Sequence, residues 1–133
     1  MITLKELLGQ ANTFESLPKD HKDNLLETLC RMSKFRETYS LPMIVTSGYR
    51  TLPQHLAIYE KRNWPMDKIP MGSAHLKGCA CDILDPRGSL LDYCYRNEAL
   101  LEEIGLWLEV KDARPRTHFQ IYAPASGRRF FVP

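Results

Sequence analysis

Residues 73–82 read Ser73-Ala74-His75-Leu76-Lys77-Gly78-Cys79-Ala80-Cys81-Asp82. This stretch decides the fold because it predicts a loop that runs into a strand. Side chains alternate between the two faces of a strand, so from Gly78 onward Gly78, Ala80 and Asp82 share one face. The small residues leave that face open, and His75 can fold back over it. The stretch therefore predicts an imidazole and a carboxylate at one site.

A second strand is predicted by Thr117-His118-Phe119-Gln120-Ile121-Tyr122, which is rich in β-branched and aromatic residues. If the two strands are neighbours, His118 joins His75 and Asp82. Two neutral imidazoles and one carboxylate leave one coordination position for water, which is how catalytic zinc is held. Zinc lowers the pKa of such a water to about 7, so the predicted chemistry is hydrolysis.

Other interpretations of these residues exist. Taken singly, each ligand-type residue is more often structural: a loop histidine, a turn aspartate or a sheet histidine. A competing set of His75, Cys79 and Cys81 would form a structural zinc site. Cys-x-Cys lacks the usual longer spacer and no second cysteine pair follows it, so the His-Asp-His set is favoured.

The pattern Ser-x-His-x-x-Gly-x-Ala-x-Asp, followed by a later strand histidine, resembles the zinc D-Ala-D-Ala carboxypeptidases. That superfamily shares its fold with the Hedgehog signalling domain and includes D-alanyl-D-alanine dipeptidases and phage L-alanyl-D-glutamate endolysins. The resemblance covers roughly residues 41–133. It implies Zn²⁺ bound by His75, Asp82 and His118, with Ser73 orienting the loop or a substrate group.

Two flanking segments extend the resemblance. Ser47-Gly48-Tyr49-Arg50 is similar to the superfamily's Ser-Gly-Tyr-Arg turn, which implies that Arg50 faces a substrate carboxylate. A guanidinium offers a planar fork that suits a carboxylate. Thr117-His118-Phe119-Gln120, with the closing Ser126-Gly127-Arg128-Arg129, is similar to short phage-encoded members.

The general base departs from the superfamily pattern, which places an acid a few residues before the last histidine. Position 115 is proline, and no acid lies within the five residues before His118. Two candidates remain. Glu109, on the strand predicted over residues 106–110, can lie near His118 if the two strands pair. Asp112, in the connecting loop, is the second candidate.

Length and composition predict an ordinary globular domain. The chain has 133 residues, of which 44% are hydrophobic and 26% are charged. We expect one zinc peptidase-like domain over 1–133, with N-terminal helices in 1–40 and the metal-site core in 41–133. The fold class expected is α+β, a small antiparallel sheet flanked by helices, Hedgehog/DD-peptidase-like. Thr3 and Thr51 predict helix starts, and Ser89 predicts another, for a helix that ends near Gly105.

Composition also bears on partners and location. A net charge of +2 is too small to indicate nucleic acid, and no apolar run reaches transmembrane length. No export segment is recognisable at the start, so we expect cytoplasmic synthesis, with action on the cell wall after release or as part of a virion. We also expect the four cysteines to be reduced and packed as small hydrophobic residues. We expect a monomer.

The predicted function is that of a zinc metallopeptidase acting on peptidoglycan stem peptides, of the D,D-carboxypeptidase or L-Ala-D-Glu endopeptidase type. The resemblance suits a phage-type lysis or virion enzyme, or a prophage product. The alternative is a module of the same fold that binds metal without hydrolysis, either a binding module or a phage structural component. The unusual position of the base favours this alternative, and the presence of Arg50 disfavours it.

Overall fold

The computed structural model describes residues 1–110 and 115–132. Within these residues the chain forms five α-helices and one five-stranded sheet, so the expected α+β class is confirmed. The helices are α1 Leu4–Leu8, α2 Lys19–Thr38, α3 Leu52–Lys61, α4 Ser89–Arg96 and α5 Glu98–Ile104. The strands are β1 Val45–Ser47, β2 Ala80–Leu84, β3 Trp107–Glu109, β4 Arg116–Gln120 and β5 Phe130–Phe131.

The sheet has the strand order β1-β2-β4-β3-β5. Every neighbouring pair is antiparallel except β3 and β5, which run parallel. The predicted pairing of the strands that carry Asp82 and His118 is confirmed, because β2 and β4 are adjacent and these two residues lie directly opposite each other. Glu109 on β3 lies opposite His118 from the other side.

Local sequence determines the helix starts. Thr3 and Thr51 cap α1 and α3, as the sequence predicts, and each forms a capping box, with Glu6 and Gln54 as the reciprocal partners. The expectation that Ser89 caps the next helix is wrong. Gly88 is the N-cap of α4, and Asp85 accepts hydrogen bonds from the backbone N–H groups of the first turn instead.

The single helix expected from Ser89 to near Gly105 is in fact two helices. Asn97 separates α4 from α5 with backbone angles outside the helical region, φ −129° and ψ 41°. Its side-chain amide donates to the carbonyl of Tyr93 at 2.7 Å, and this local bond competes with helix continuation.

One face of the sheet packs on α2, α4 and α5. Fully buried residues from α2, Leu25, Met32 and Phe35, meet Phe119 and other core residues of the strands. Burial of these apolar side chains provides the main driving force for folding. The opposite face carries His75, Asp82 and His118 and is therefore available for a site.

All four cysteines are free. Cys79, Cys81 and Cys94 are buried, as expected for small hydrophobic residues. Cys30 is exposed, so the expectation that all four pack in the interior is wrong for this residue. It lies on the outward side of α2.

No helix among the described residues has the length and apolar character needed to cross a membrane. The candidate base Asp112 lies outside the described residues, as do Lys111, Ala113 and Arg114 of the connection between β3 and β4.

Candidate metal centre

Three side chains converge on the open face of the sheet. The register of β2 and β4 brings His118 Nδ1 to 2.8 Å from Asp82 Oδ1. A short 3-10 helix, Ala74–Lys77, turns His75 back over the sheet, so that its Nε2 lies 3.3 Å from the same oxygen. All three residues are buried. The predicted convergence of His75, Asp82 and His118 is therefore present.

Gly78 explains how the chain makes this turn. It ends the 3-10 helix with φ +78°, in the left-handed region that favours glycine. A Cβ at this position would lie 2.9 Å from the backbone oxygen of His21 on α2. The glycine of the motif therefore serves both the backbone conformation and the close approach of the loop to α2.

Hydrogen bonds on the far side of each imidazole fix its orientation. His75 Nδ1 lies 2.7 Å from the carbonyl oxygen of Gly48, which can only accept, so Nδ1 carries the proton and Nε2 presents a lone pair. His118 Nε2 lies 3.0 Å from Gln120 Oε1, while the amide nitrogen of Gln120 donates to the carbonyl of Tyr122. Nε2 of His118 therefore donates, and Nδ1 of the neutral ring presents its lone pair to Asp82.

Two imidazole lone pairs and a carboxylate oxygen thus face one another, and such an arrangement favours a cation between them. The three ligand atoms lie within 4.8 Å of one another and can hold one metal ion. Two neutral nitrogens and one oxygen form a donor set that zinc accepts, with a fourth position left open. The residues present therefore fit the metal that the sequence predicts.

The pKa values reflect the same crowding. Burial acts to raise the pKa of the Asp82 carboxyl, but hydrogen bonds to His118 and His75 in their protonated forms outweigh it and hold this pKa far below its usual range. Burial lowers the pKa of His75. Burial also acts to lower the pKa of His118, but the hydrogen bond and charge of Asp82, with a contribution from Glu109, raise it overall.

The competing set of His75, Cys79 and Cys81 is not assembled. Within the described part of the chain, the only group of histidine, cysteine and acidic ligand atoms close enough to share one ion is His75, Asp82 and His118. Cys81 is fully buried and belongs to the hydrophobic core, together with residues on the opposite face of the sheet. The structural zinc alternative is therefore wrong.

Arg50 lies at the edge of the centre. Its backbone N–H donates to the carbonyl of His75 at 3.1 Å, and its Nε donates to Ser47 Oγ at 3.0 Å. One terminal guanidinium nitrogen lies 3.8 Å from Asp82 Oδ2. The turn therefore holds a partly exposed guanidinium beside the three candidate ligands.

His55, which was not among the residues predicted for the site, lies beside Arg50. It lies on α3, is fully buried, and its Nε2 donates to the carbonyl of Pro70 at 2.9 Å. Its Nδ1 is therefore an acceptor, and a terminal nitrogen of Arg50 lies 3.4 Å from it. The helix start at Thr51 was a usable signal, because it places His55 one turn into α3 and close in sequence to Arg50.

The cleft above the centre has a volume of about 540 Å³. Ser73 lines it, and its Oγ accepts from the backbone N–H of His75 at 3.4 Å. Glu109 also lines the cleft, from its position opposite His118. The basic residues of the lining are Arg50, Arg62, Lys68 and Arg116, whereas the acidic residues among those described are Asp82 and Glu109. The cleft therefore favours anionic groups.

The chain was compared with protein families, curated sequences and solved structures. No protein-family model matches the chain, and no curated protein sequence matches it. The chain is similar to the crystal structure of Serratia marcescens L-Ala D-Glu endopeptidase ChiX, with 18% sequence identity and a TM-score of 0.48. The similarity covers 80% of this chain and 89% of the other.

Proposed function

We propose that this chain is a zinc-dependent peptidase that hydrolyses peptide bonds in peptidoglycan stem peptides, of the D,D-carboxypeptidase or L-Ala-D-Glu endopeptidase type. The observation that carries the proposal is the convergence of two imidazole lone pairs, fixed by Gly48 and Gln120, on the Asp82 carboxylate. Such an open site with three protein ligands is the arrangement of catalytic zinc.

His75 Nε2, a carboxylate oxygen of Asp82 and His118 Nδ1 would hold the ion. Zinc bound there supplies a Lewis acid that polarises a carbonyl and lowers the pKa of a water to about 7. The carbonyl of Gly48 and the amide of Gln120 hold the two imidazoles in the required tautomers. Partners of this kind orient metal ligands and strengthen their binding.

Glu109 is proposed as the general base. Its position across the strand pair from His118 and in the wall of the cleft is suited to taking a proton from the attacking water and returning it to the leaving amine. Asp112 remains the second candidate for this role. Either acid comes from β3 or the connection after it, which accounts for the lack of an acid shortly before His118.

The substrate class follows from the resemblance and from the charge of the cleft. Arg50 is proposed to bind a carboxylate of the stem peptide through its guanidinium, which Ser47 and His55 hold from behind. Ser73 is proposed to orient the loop that carries His75. Every proposed ligand belongs to one chain, so the proposal needs no second copy.

The proposal is tested with purified peptidoglycan and zinc-loaded protein. We expect new amino groups to be released, and the newly exposed N-terminal residue identifies the bond that is cut. An Asp82→Asn protein, which retains size but loses the ligand charge, should lose both zinc and turnover. Zinc bound at one ion per chain without release of amino groups would instead support a non-catalytic binding module.

A further inference from the structure

A second arginine, Arg116, faces the same cleft as Arg50. Arg116 lies two residues before His118 on β4, so the two side chains project from the same face of the sheet. Arg116 and His118 both line the cleft, as does Gln120, which lies two residues after His118 on the same strand. Arg116 approaches the metal centre from β4, whereas Arg50 approaches it from the turn after β1.

The guanidinium of Arg116 is incompletely satisfied. Its Nε is shielded from solvent and has no hydrogen-bond acceptor within residues 1–110 and 115–132. Asp82 Oδ2 lies 3.6 Å from this nitrogen, which is an ion-pair distance but too long for a good hydrogen bond. A buried donor without an acceptor is costly, and a ligand oxygen would remove that cost.

The single negative charge of Asp82 does not neutralise the positive charges of Arg50 and Arg116. Its Oδ2 lies 3.8 Å from Arg50 and 3.6 Å from Arg116, while its Oδ1 faces the two histidines. One carboxylate carries a single negative charge, and part of that charge would be drawn to the metal. The space beside Oδ2 is therefore bordered by two guanidinium groups with unused hydrogen-bonding capacity.

We propose that Arg116 and Arg50 together form a binding site for a substrate carboxylate, so that the cleft selects stem peptides in their anionic form over amidated ones. This inference rests on the proposed function. A carboxylate offers two acceptor oxygens to the guanidinium groups. A carboxamide offers only one acceptor oxygen, and its own N–H donors would face the N–H donors of the two guanidinium groups. It should therefore bind to the two arginines more weakly than a carboxylate.

The test compares pairs of synthetic stem peptides that differ only in one carboxyl group, which is either free or converted to the carboxamide. Each carboxylate of the peptide, at the D-glutamyl residue and at the C-terminus, is replaced in turn. For the pair at the recognised position, Arg116→Gln should lower kcat/KM on the acid about 10- to 100-fold and change that on the amide by less than about threefold. Arg116→Lys, which keeps the charge but loses the fork, should lie between.

Binding of the same peptides to metal-free protein, measured by calorimetry, provides a readout that does not need turnover. Wild-type protein should prefer the acid, and Arg116→Gln should lose that preference. The exposed Arg87, outside the cleft lining, is the matched control, and Arg87→Gln should retain it. If no peptide is hydrolysed but the preference is found, the proposed activity fails and the anion site stands.

If Arg116→Gln lowered kcat/KM equally on the acid and the amide peptide, the proposal would be overturned, because Arg116 would then act only through Asp82 or through the fold. Zinc content and the thermal unfolding midpoint of each variant identify a folding defect. If Arg116→Gln does not fold, the Arg116→Lys and wild-type measurements decide. Equal affinity of wild-type protein for every acid and amide pair would also overturn it.

Discussion

Asp82 and His118 lie directly opposite each other on adjacent antiparallel strands, with Oδ1 and Nδ1 2.8 Å apart. Strand register, and not loop conformation, thus sets the distance between two of the three proposed metal ligands. A site built on strands is positioned more accurately than one built on loops. Only His75 reaches the centre from outside the sheet, and Gly78 fixes the turn that carries it.

Zinc affinity should fall as the pH is lowered, because the ion and protons compete for the same nitrogens. The pKa of His118 is raised above its usual 6.5 and that of His75 is lowered below it. As the pH falls, protons should therefore begin to compete with zinc at His118 above pH 6.5, and at His75 only below pH 6.5.

Calorimetric titration with zinc in two buffers of different ionisation enthalpy measures the protons released. About one proton per ion is expected at a pH between the two pKa values, and none well above both. An affinity that does not change between roughly pH 5 and pH 8 would contradict the assignment of both histidines as ligands.

Replacement of Glu109 by glutamine should abolish most turnover without loss of zinc. Removal of a general base lowers kcat by about 100- to 10,000-fold, and the amide keeps the size of the side chain. Zinc content and steady-state kinetics of Glu109→Gln provide the measurement. Glu103→Gln, an exposed position on α5, is the matched control. Full activity in Glu109→Gln would exclude Glu109 and leave Asp112 as the candidate.

His55 should act on catalysis through Arg50. In His55→Phe the guanidinium loses its acceptor, and we expect kcat/KM to fall about tenfold while zinc is retained. In His55→Asn the side-chain oxygen can replace Nδ1, so part of the activity should return. His21→Asn, at a histidine that does not contact Arg50, controls for the loss of an imidazole. Equal activity of the Phe and Asn variants would argue for a purely structural role.

Asp85 should contribute to stability away from the metal centre. Its oxygens accept hydrogen bonds from the N–H groups of Leu90 and Leu91 and from the hydroxyl of Thr117, at 2.9 to 3.0 Å. Asp85→Ala should lower the free energy of unfolding by about 2–4 kcal/mol, since it removes a helix cap and leaves buried donors unsatisfied.

Urea denaturation of Asp85→Ala measures this effect, and the exposed Asp92→Ala on the same helix should change stability by less than about 0.5 kcal/mol. Similar destabilisation of the two variants would contradict the assigned role. Asp85→Asn, which retains one acceptor oxygen, should lose less than the alanine variant.

Much of the candidate metal centre could be predicted from the sequence because it depends on local rules. Alternation along two strands places Asp82 and His118 on one face, and the spacing of the motif around Gly78 brings His75 back to it. The helix caps at Thr3 and Thr51 were predictable for the same reason, since each involves residues three positions apart.

Contacts between distant segments could not be predicted in this way. His55 meets Arg50 and the carbonyl of Pro70 only after α3 and the loop that follows it have packed together. Asp85 caps α4 and binds Thr117 across the sheet, so the local pattern at Ser89 gave the wrong cap. The parallel pairing of β5 with β3 likewise depends on tertiary packing, because neither strand carries a local signal for its partner.

The most direct measurement is the rate of amino-group release from peptidoglycan as zinc is added to metal-free protein, with the bound zinc determined in the same samples. The rate should rise in proportion to bound zinc and reach its plateau at one ion per chain, and His118→Ala should show neither binding nor turnover. A rate independent of zinc, or one bound ion per chain with no release of amino groups, would contradict the account.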